Sequence, residues 1–288
     1  MNSFSKGALY VVATPIGNLD DLSRRAMDTL AQADLIAAED TRHSVRLLDH
    51  IGVRVPLVSL HEHNETSRIE RIRQALDDGQ RVALISDAGT PLISDPGYRL
   101  VQALREAEYT VIPIPGPSAL ITALSAAGLP TERFLFEGFL PAKGAGRRQR
   151  LSDVVELPVT IVLYESPHRI RQLLEDVETV FGERHVVIAR ELTKTFETFL
   201  QGTAGSLLAR MAEDADQMRG EFVVMMAPAA EKASADSGQI DGDQLLSSLL
   251  EEGVGVKQSA SVATRILGGR KSDWYQRAQA LKDNGFCK

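Results

Sequence analysis

The feature that most constrains this chain is an alternation. Short, β-rich apolar runs of strand length at residues 9–13, 35–38, 57–60, 82–86 and 110–114 are separated by helix-periodic stretches at 22–33, 45–51, 69–76 and 100–107. A strand that runs parallel to its predecessor needs a crossover of a dozen or more residues, and a helix fills it, so the spacing predicts an α/β unit with a largely parallel sheet. A small-residue helix at 118–127 closes this unit, with Gly128 and Pro130 marking its end. The pattern then restarts with different lengths: strands at 134–139, 160–164, 186–189, 195–200 and 222–226, and helices near 147–155, 168–181 and 207–211. Fewer helices separate these strands, which predicts a mixed sheet.

After Met226 the composition shifts to Ala, Ser, Asp and Gly without apolar periodicity, which reads as a linker. Helical spacing resumes at Leu245, Leu246, Leu249 and Leu250 and again at Val262, Ile266 and Leu267. The expected organisation is an α/β domain at 1–128, a second at 129–228, a linker at 229–242 and a small helical module at 243–288. A length of 288 residues suits several domains. No apolar run approaches the ~20 residues that cross a bilayer, and no secretory signal pattern opens the chain, so a cytoplasmic protein is expected. The single cysteine, Cys287, allows no intrachain disulfide and no cysteine-built zinc site.

A net charge of -7 argues against coating nucleic acid by overall charge, but the average hides asymmetry. Residues 229–252 carry six acids and one lysine, whereas 257–288 carry seven basic residues against Asp273 and Asp283. A second basic cluster gathers Lys143, Arg147, Arg148 and Arg150.

Ligands of open α/β sheets bind beyond the carboxyl ends of strands, and four such loops stand out here. They are Thr14-Pro15-Ile16-Gly17-Asn18, the run from Ser86 to Gly97 (SDAGTPLISDPG), Pro113 to Ala119 (PIPGPSA), and Glu165-Ser166-Pro167-His168-Arg169. Each joins turn-forming Gly or Pro to small residues that let a ligand approach the backbone. No Walker-A run, no G-x-G-x-x-G after the first strand and no G-x-S-x-G elbow is present, so phosphate-loop, standard dinucleotide and serine-hydrolase chemistry are unsupported.

The motifs TPIGN, SDAGTPLISDPG, PIPGPSAL, LYESPHRI and RELTKTFE resemble the tetrapyrrole methylase superfamily, and more narrowly the bacterial 16S rRNA (cytidine-2′-O)-methyltransferases. The resemblance runs from about Gly7 to Ala227 and continues through the helical tail, which is similar to a helix-turn-helix module. It implies a homodimeric enzyme of two α/β domains with S-adenosylmethionine in the cleft between them, acting on a cytidine ribose of 16S rRNA in the 30S subunit. Carried over by position, cofactor contacts fall on Pro15, on Asp87, Ala88, Gly89 and Thr90, and on Ile93. They continue at Ser118, Ala119, Tyr164, Glu165 and Leu192. Tetrapyrrole C-methylating members carry Gly-Asp-Pro where this chain has Gly89-Thr90-Pro91, and Pro-Gly-Asp where it has Pro15-Ile16-Gly17, so tetrapyrrole chemistry is disfavoured. A non-catalytic, S-adenosylmethionine-binding assembly factor is the remaining alternative.

Attack by a ribose hydroxyl on a sulfonium methyl is an in-line displacement, helped by an acceptor for the hydroxyl proton. Glu39 or Asp40 is expected as that acceptor, with Arg42, His61 and Asn64 orienting RNA and Glu191 and Lys194 as further candidates; helix capping by Asp40 is the competing role. A metal at His61, His63 and Glu65 is not expected, because transfer from a sulfonium needs no Lewis acid. Glu165 also suits the N-terminal dipole of the helix that follows. RNA contacts are expected from the Lys143 to Arg150 cluster and from Arg265, Arg270, Lys271 and Arg277 around Trp274 and Tyr275, with Trp274 itself packing the tail's own core.

Overall fold

The structure is a computed structural model that describes residues 7–61, 64–229 and 241–283. Contacts divide the chain into two compact units, Met1–Ala229 and Ala230–Lys288. The first contains two five-stranded sheets.

In the first sheet β1 (Ala8–Val12), β2 (Leu35–Ala38), β3 (Leu57–Ser59), β4 (Arg81–Ile85) and β5 (Thr110–Ile114) run parallel in the order β3-β2-β4-β1-β5. The helices between them are α1 (Arg24–Ala31), α2 (Thr41–His50), α3 (Glu65–Asp77) and α4 (Tyr98–Glu106). Because right-handed crossovers put helices on both faces, β2 is buried throughout, and two apolar cores form. One joins Leu9, Val82 and Leu84 to Ile72, Leu76, Leu100 and Leu104; the other joins Ile36, Ala83 and Ile85 to Ala26, Leu30 and Leu48. Side-chain caps mark helix starts where the chain supplies them: Ser23 accepts from the Ala26 N–H and Asp40 from the Arg42 N–H.

The second sheet is mixed, as the sparser helices predict. Its strands are β6 (Phe134–Phe139), β7 (Thr160–Glu165), β8 (Val186–Arg190), β9 (Thr198–Gly202) and β10 (Phe222–Met226), in the order β6-β7-β10-β8-β9. Only β6 and β7 pair in parallel. Helices α6 (Gly144–Val154), α7 (Ile170–Phe181) and α8 (Ala204–Glu213) follow from the predicted stretches, and β9 lies a few residues later than expected. Helix α5 (Ala119–Ala126) departs from expectation: although it follows β5, its Leu120, Ala123 and Leu124 pack on Val162, Val187, Val223 and Met225 of the second sheet. Ile16 and Leu192 join the same cluster, so one core ties the loops of both sheets together.

In the second unit α9 (Gly242–Glu251), α10 (Val256–Leu267) and α11 (Lys271–Asp283) enclose Leu246, Leu250, Val256, Ala263 and Ala278. Trp274 packs against this core and its indole N–H donates to the Gly268 carbonyl at 2.7 Å. No described helix is long and apolar enough to cross a membrane.

Candidate active site

Strand order decides which loops meet. Neighbours β2, β4, β1 and β5 deliver Glu39, Asp87 to Asp95, Ile16, and Ser118 with Ala119 to one end of their sheet. In the second sheet β10 runs antiparallel to β7 and β8, pairing Phe222 with both Glu165 and Arg190. The start of β10 therefore lies beside the ends of β7 and β8. Glu221, Phe222 and Val223 line one cavity of about 400 Å³ with Phe139, Tyr164 to Pro167, Leu192 and the first-sheet loops.

Backbone contacts stitch the loops. Thr14 and Gly89 form an isolated antiparallel bridge, with N–H to O distances of 2.9 and 3.0 Å, and Thr90 Oγ1 donates to the Pro117 carbonyl at 3.0 Å. The N-terminal N–H of Leu120 donates to the Tyr164 hydroxyl at 3.0 Å, coupling α5 to the second sheet. Burial raises the Tyr164 pKa and the charge of Asp95 adds to that, while the Leu120 N–H works against it. Leu92 (φ 75°), Ser94 (φ 67°), Glu191 (φ 50°) and Thr193 (φ 66°) are left-handed without being glycine. Such conformations cost on the order of 1 kcal/mol or more each, and here they flank the cavity.

The cavity is acidic. Burial, followed by the charges of Glu39 and Asp87, pushes the Asp95 carboxyl up to about 6 against the opposing hydrogen bond of Ser86. Asp87 accepts from the Asp40 N–H at 3.0 Å and lies 3.8 Å from His43 Nδ1. Glu165 is 2% exposed; one oxygen accepts from the Ser166 N–H at 2.8 Å. The other, Oε2, lies 3.4 Å from Arg169 Nη2 but accepts no hydrogen bond among the described residues.

Of the residues expected to bind a cofactor, all line this cavity except Pro15, whose neighbour Ile16 does so instead. The catalytic expectations separate. Glu39 lines the cavity; Asp40, Arg42, His61, Asn64 and Lys194 do not. Asp40 caps α2 and binds Arg42 through Nε at 3.0 Å and Nη2 at 2.6 Å, which holds its carboxyl far below the usual range and makes it a poor base. The Arg42 side chain in that pair stays 89% exposed. His61 and Asn64 follow β3 at the sheet edge and form a local turn, where Asn64 accepts from the His61 N–H at 2.9 Å and donates to the Ser59 carbonyl at 3.1 Å. Glu62 and His63 lie outside the described residues.

Lys194 is a clasp. Its Nζ donates to Glu191 and to Glu221, each at 2.9 Å, and its stem lies over Gly17, where a Cβ would sit 2.5 Å from Lys194 Cγ. Burial opposes the ammonium charge, but the two carboxylates outweigh it and raise the Lys194 pKa.

The basic cluster at 143–150 is corrected in part. Arg147 is buried, donating to Asp176 at 2.6 Å; Arg148 joins the same carboxylate at 2.9 Å, and Arg150 grips Glu137 through two bonds. The buried Arg147 neutralises its own fold rather than a phosphate, while Arg148 and Arg150 keep about half of their side chains exposed beside their carboxylate partners. Lys143 is exposed, as are Arg265, Arg270, Lys271 and Arg277; Arg277 stands 5.3 Å over the Trp274 ring and 3.8 Å from Asp243.

Residues 8–208 match the tetrapyrrole (corrin/porphyrin) methylases, and residues 236–282 match the RsmI C-terminal HTH domain. The chain belongs to the tetrapyrrole methylase family. This methylase is 51% identical over 98% of its length to a Pseudomonas aeruginosa protein named ribosomal RNA small subunit methyltransferase I, covering 99% of that protein. A relative of the same name from Escherichia coli O157:H7 is 49% identical, with 95% of each chain covered. The crystal structure of a cobalt precorrin-4 methyltransferase shares the methylase fold at a TM-score of 0.57 and 16% identity, over 76% of this chain and 94% of that one.

Sequence reasoning did not single out Asp95, Phe139 or Glu221 to Val223. Asp95 sits inside a quoted motif, but its proton affinity depends on carboxylates 8 and 56 residues earlier. Phe139 and the β10 residues reach the cavity through strand pairing that periodicity does not reveal.

Proposed function

We propose that this methylase transfers a methyl group from S-adenosylmethionine to the ribose 2′-hydroxyl of a cytidine in 16S rRNA, acting as a cytoplasmic homodimer on the 30S subunit. The observation that carries this reading is likeness over nearly the whole chain to enzymes named for small-subunit ribosomal RNA methylation, extending through the helical tail.

The cavity chemistry suits the cofactor. Glu39, Asp87 and Asp95 provide negative charge for the sulfonium and ammonium groups, Ile16, Ile93 and Leu192 provide apolar surface for the adenosine, and the hydrogen-bond-free Oε2 of Glu165 offers a buried acceptor. When bound, S-adenosylmethionine supplies a methyl carbon made electrophilic by the positive sulfur. The protein's own work is alignment and removal of water, with Leu192, Phe222 and Val223 walling the cavity. The hydroxyl must lose its proton as the new carbon–oxygen bond forms, and Glu39 is the acceptor: of the two carboxylates expected in that role it alone lines the cavity. Exposed Arg265, Arg270, Lys271 and Arg277 of the helical unit, with Lys143, contact RNA phosphates.

Thr90, in place of the Asp of tetrapyrrole-methylating members, holds the Pro117 carbonyl rather than offering a carboxylate. The test is incubation of purified protein with radiolabelled S-adenosylmethionine and 30S subunits from cells lacking the gene, followed by nucleoside analysis. Label in 2′-O-methylcytidine is expected. Cofactor binding without label in RNA would refute the reading and leave tetrapyrrole methylation or a non-catalytic assembly role.

A further inference from the structure

Phe139 stands apart among the cavity residues. It is 55% exposed, whereas Val162 and Leu163 on the neighbouring strand are buried. The cause is a bulge. In the parallel pairing of β6 with β7, Phe136 lies opposite Val162, Gly138 opposite Leu163 and Phe139 opposite Tyr164, so Glu137 is an extra residue. In an unbroken strand, residues three apart point to opposite faces; the inserted residue returns Phe139 to the face of Phe136, Val162 and Tyr164. Both phenyl rings accordingly meet Tyr164 edge-on, with centroids 4.8 Å (Phe136) and 5.7 Å (Phe139) away.

The arrangement is held from both sides. Gly138 adopts φ +61°, a conformation that favours glycine, and a Cβ there would stand 2.9 Å from Ser94 Oγ, so the edge strand comes close to the loop after β4. Beyond Phe139, Arg169 donates to the Leu140 carbonyl at 2.6 Å and Arg147, anchored on Asp176, donates to the Ala142 carbonyl at 3.3 Å. An aromatic ring so fixed at the edge of an acidic cavity fills no core.

We propose that Phe139 is a stacking platform for the unpaired pyrimidine base of the nucleotide whose ribose is methylated. This rests on the function proposed above. Carboxylates lining the cavity repel phosphates, so the nucleotide presents its ribose inward while its base needs an uncharged surface near the mouth, and an aromatic face meets that need. Stacking of the cofactor's adenine is the competing use of the ring, and the two separate experimentally.

The test compares Phe139→Ala, Phe139→Leu and Phe139→Trp with the unaltered protein. The readouts are the Kd for S-adenosylmethionine by calorimetry and kcat and KM for 30S subunits. Removal of the stacking surface is expected to lower kcat/KM for RNA by roughly ten- to a hundredfold, chiefly through KM, with the cofactor Kd within about twofold. Trp restores activity and Leu, apolar but without a π face, does not. A large loss of cofactor affinity in Phe139→Ala, or a Leu variant as active as the original, overturns the platform. Should the unaltered protein leave ribosomal RNA unlabelled, the functional reading fails and takes this inference with it; an active protein indifferent to Phe139→Ala refutes the platform alone.

Discussion

Replacing Asp95 by Asn should make the protein more stable and a worse cofactor binder, and the size of the first effect follows from its surroundings. The carboxyl is raised from 3.8 to about 6, first by burial and then by the charges of Glu39 and Asp87. The folded state thus holds the proton more tightly than the unfolded chain, so ionisation opposes folding: stability is fully present below pH about 4 and is lost as pH rises through about 6. Two pH units correspond to about 3 kcal/mol, and because the group is only half-buried, solvent screening reduces the expected gain in Asp95→Asn to about 1–2 kcal/mol. Urea unfolding at pH 7.5 and pH 4 checks this, with the difference expected only at the higher pH. Calorimetry at pH 7.5 should show weaker binding of S-adenosylmethionine and a much smaller change for its neutral-sulfur product S-adenosylhomocysteine. A variant less stable than the original at pH 7.5, or one that binds the two ligands in an unchanged ratio, would refute the electrostatic account.

The buried pair makes the opposite prediction: Arg147→Met should cost about 3 kcal/mol, at the lower end for a broken buried ion pair because Arg148 stays beside Asp176, as read from denaturant midpoints. Lys194→Met should raise the cofactor Kd several-fold with kcat at saturation little changed, since the clasp positions Leu192 rather than touching the reacting atoms; Lys194→Arg should recover most of the affinity. Substituting Arg265, Arg270 and Lys271 by Ser should weaken binding to 16S rRNA and flatten its salt dependence by about one unit of slope for each phosphate no longer neutralised, measured by titration over 50–200 mM salt. Arg150→Ala, which frees Glu137 and leaves every phosphate partner in place, should keep that slope unaltered.

How far the chain could be read before its structure follows from the range of the forces involved. Strands at 8–12 and 81–85 and the mixed character of the second sheet were legible because hydrophobic periodicity and crossover length are local. The loops that line the cavity stood out because Gly and Pro punctuate them. Strand order was not, and it alone decides that Glu39 after β2 reaches the cavity while His61 and Asn64 after β3, at the sheet edge, do not. Pairing of charges was equally hidden: nothing in RRQR announces that Asp176, 26 to 29 residues on, absorbs Arg147 while Glu137 takes Arg150. The α5 helix reads as the end of one unit by position, yet its small residues let it sit close on the other sheet.

Charge also explains how an acidic protein can work on RNA. Glu39, Asp87, Asp95, Glu165 and Glu221 line the cavity, the first three carried there by the ends of β2 and β4. A phosphate entering that space would meet Glu39, Asp87 and Asp95 in low-dielectric surroundings, where each repulsion is several times its value in water. Lys143, Arg148 and Arg150 are exposed and do not line the cavity, and Arg147 is buried in its pair with Asp176. Under the proposed function, phosphate contacts outside the cavity hold the RNA, and an uncharged part of the nucleotide, its ribose hydroxyl, enters it.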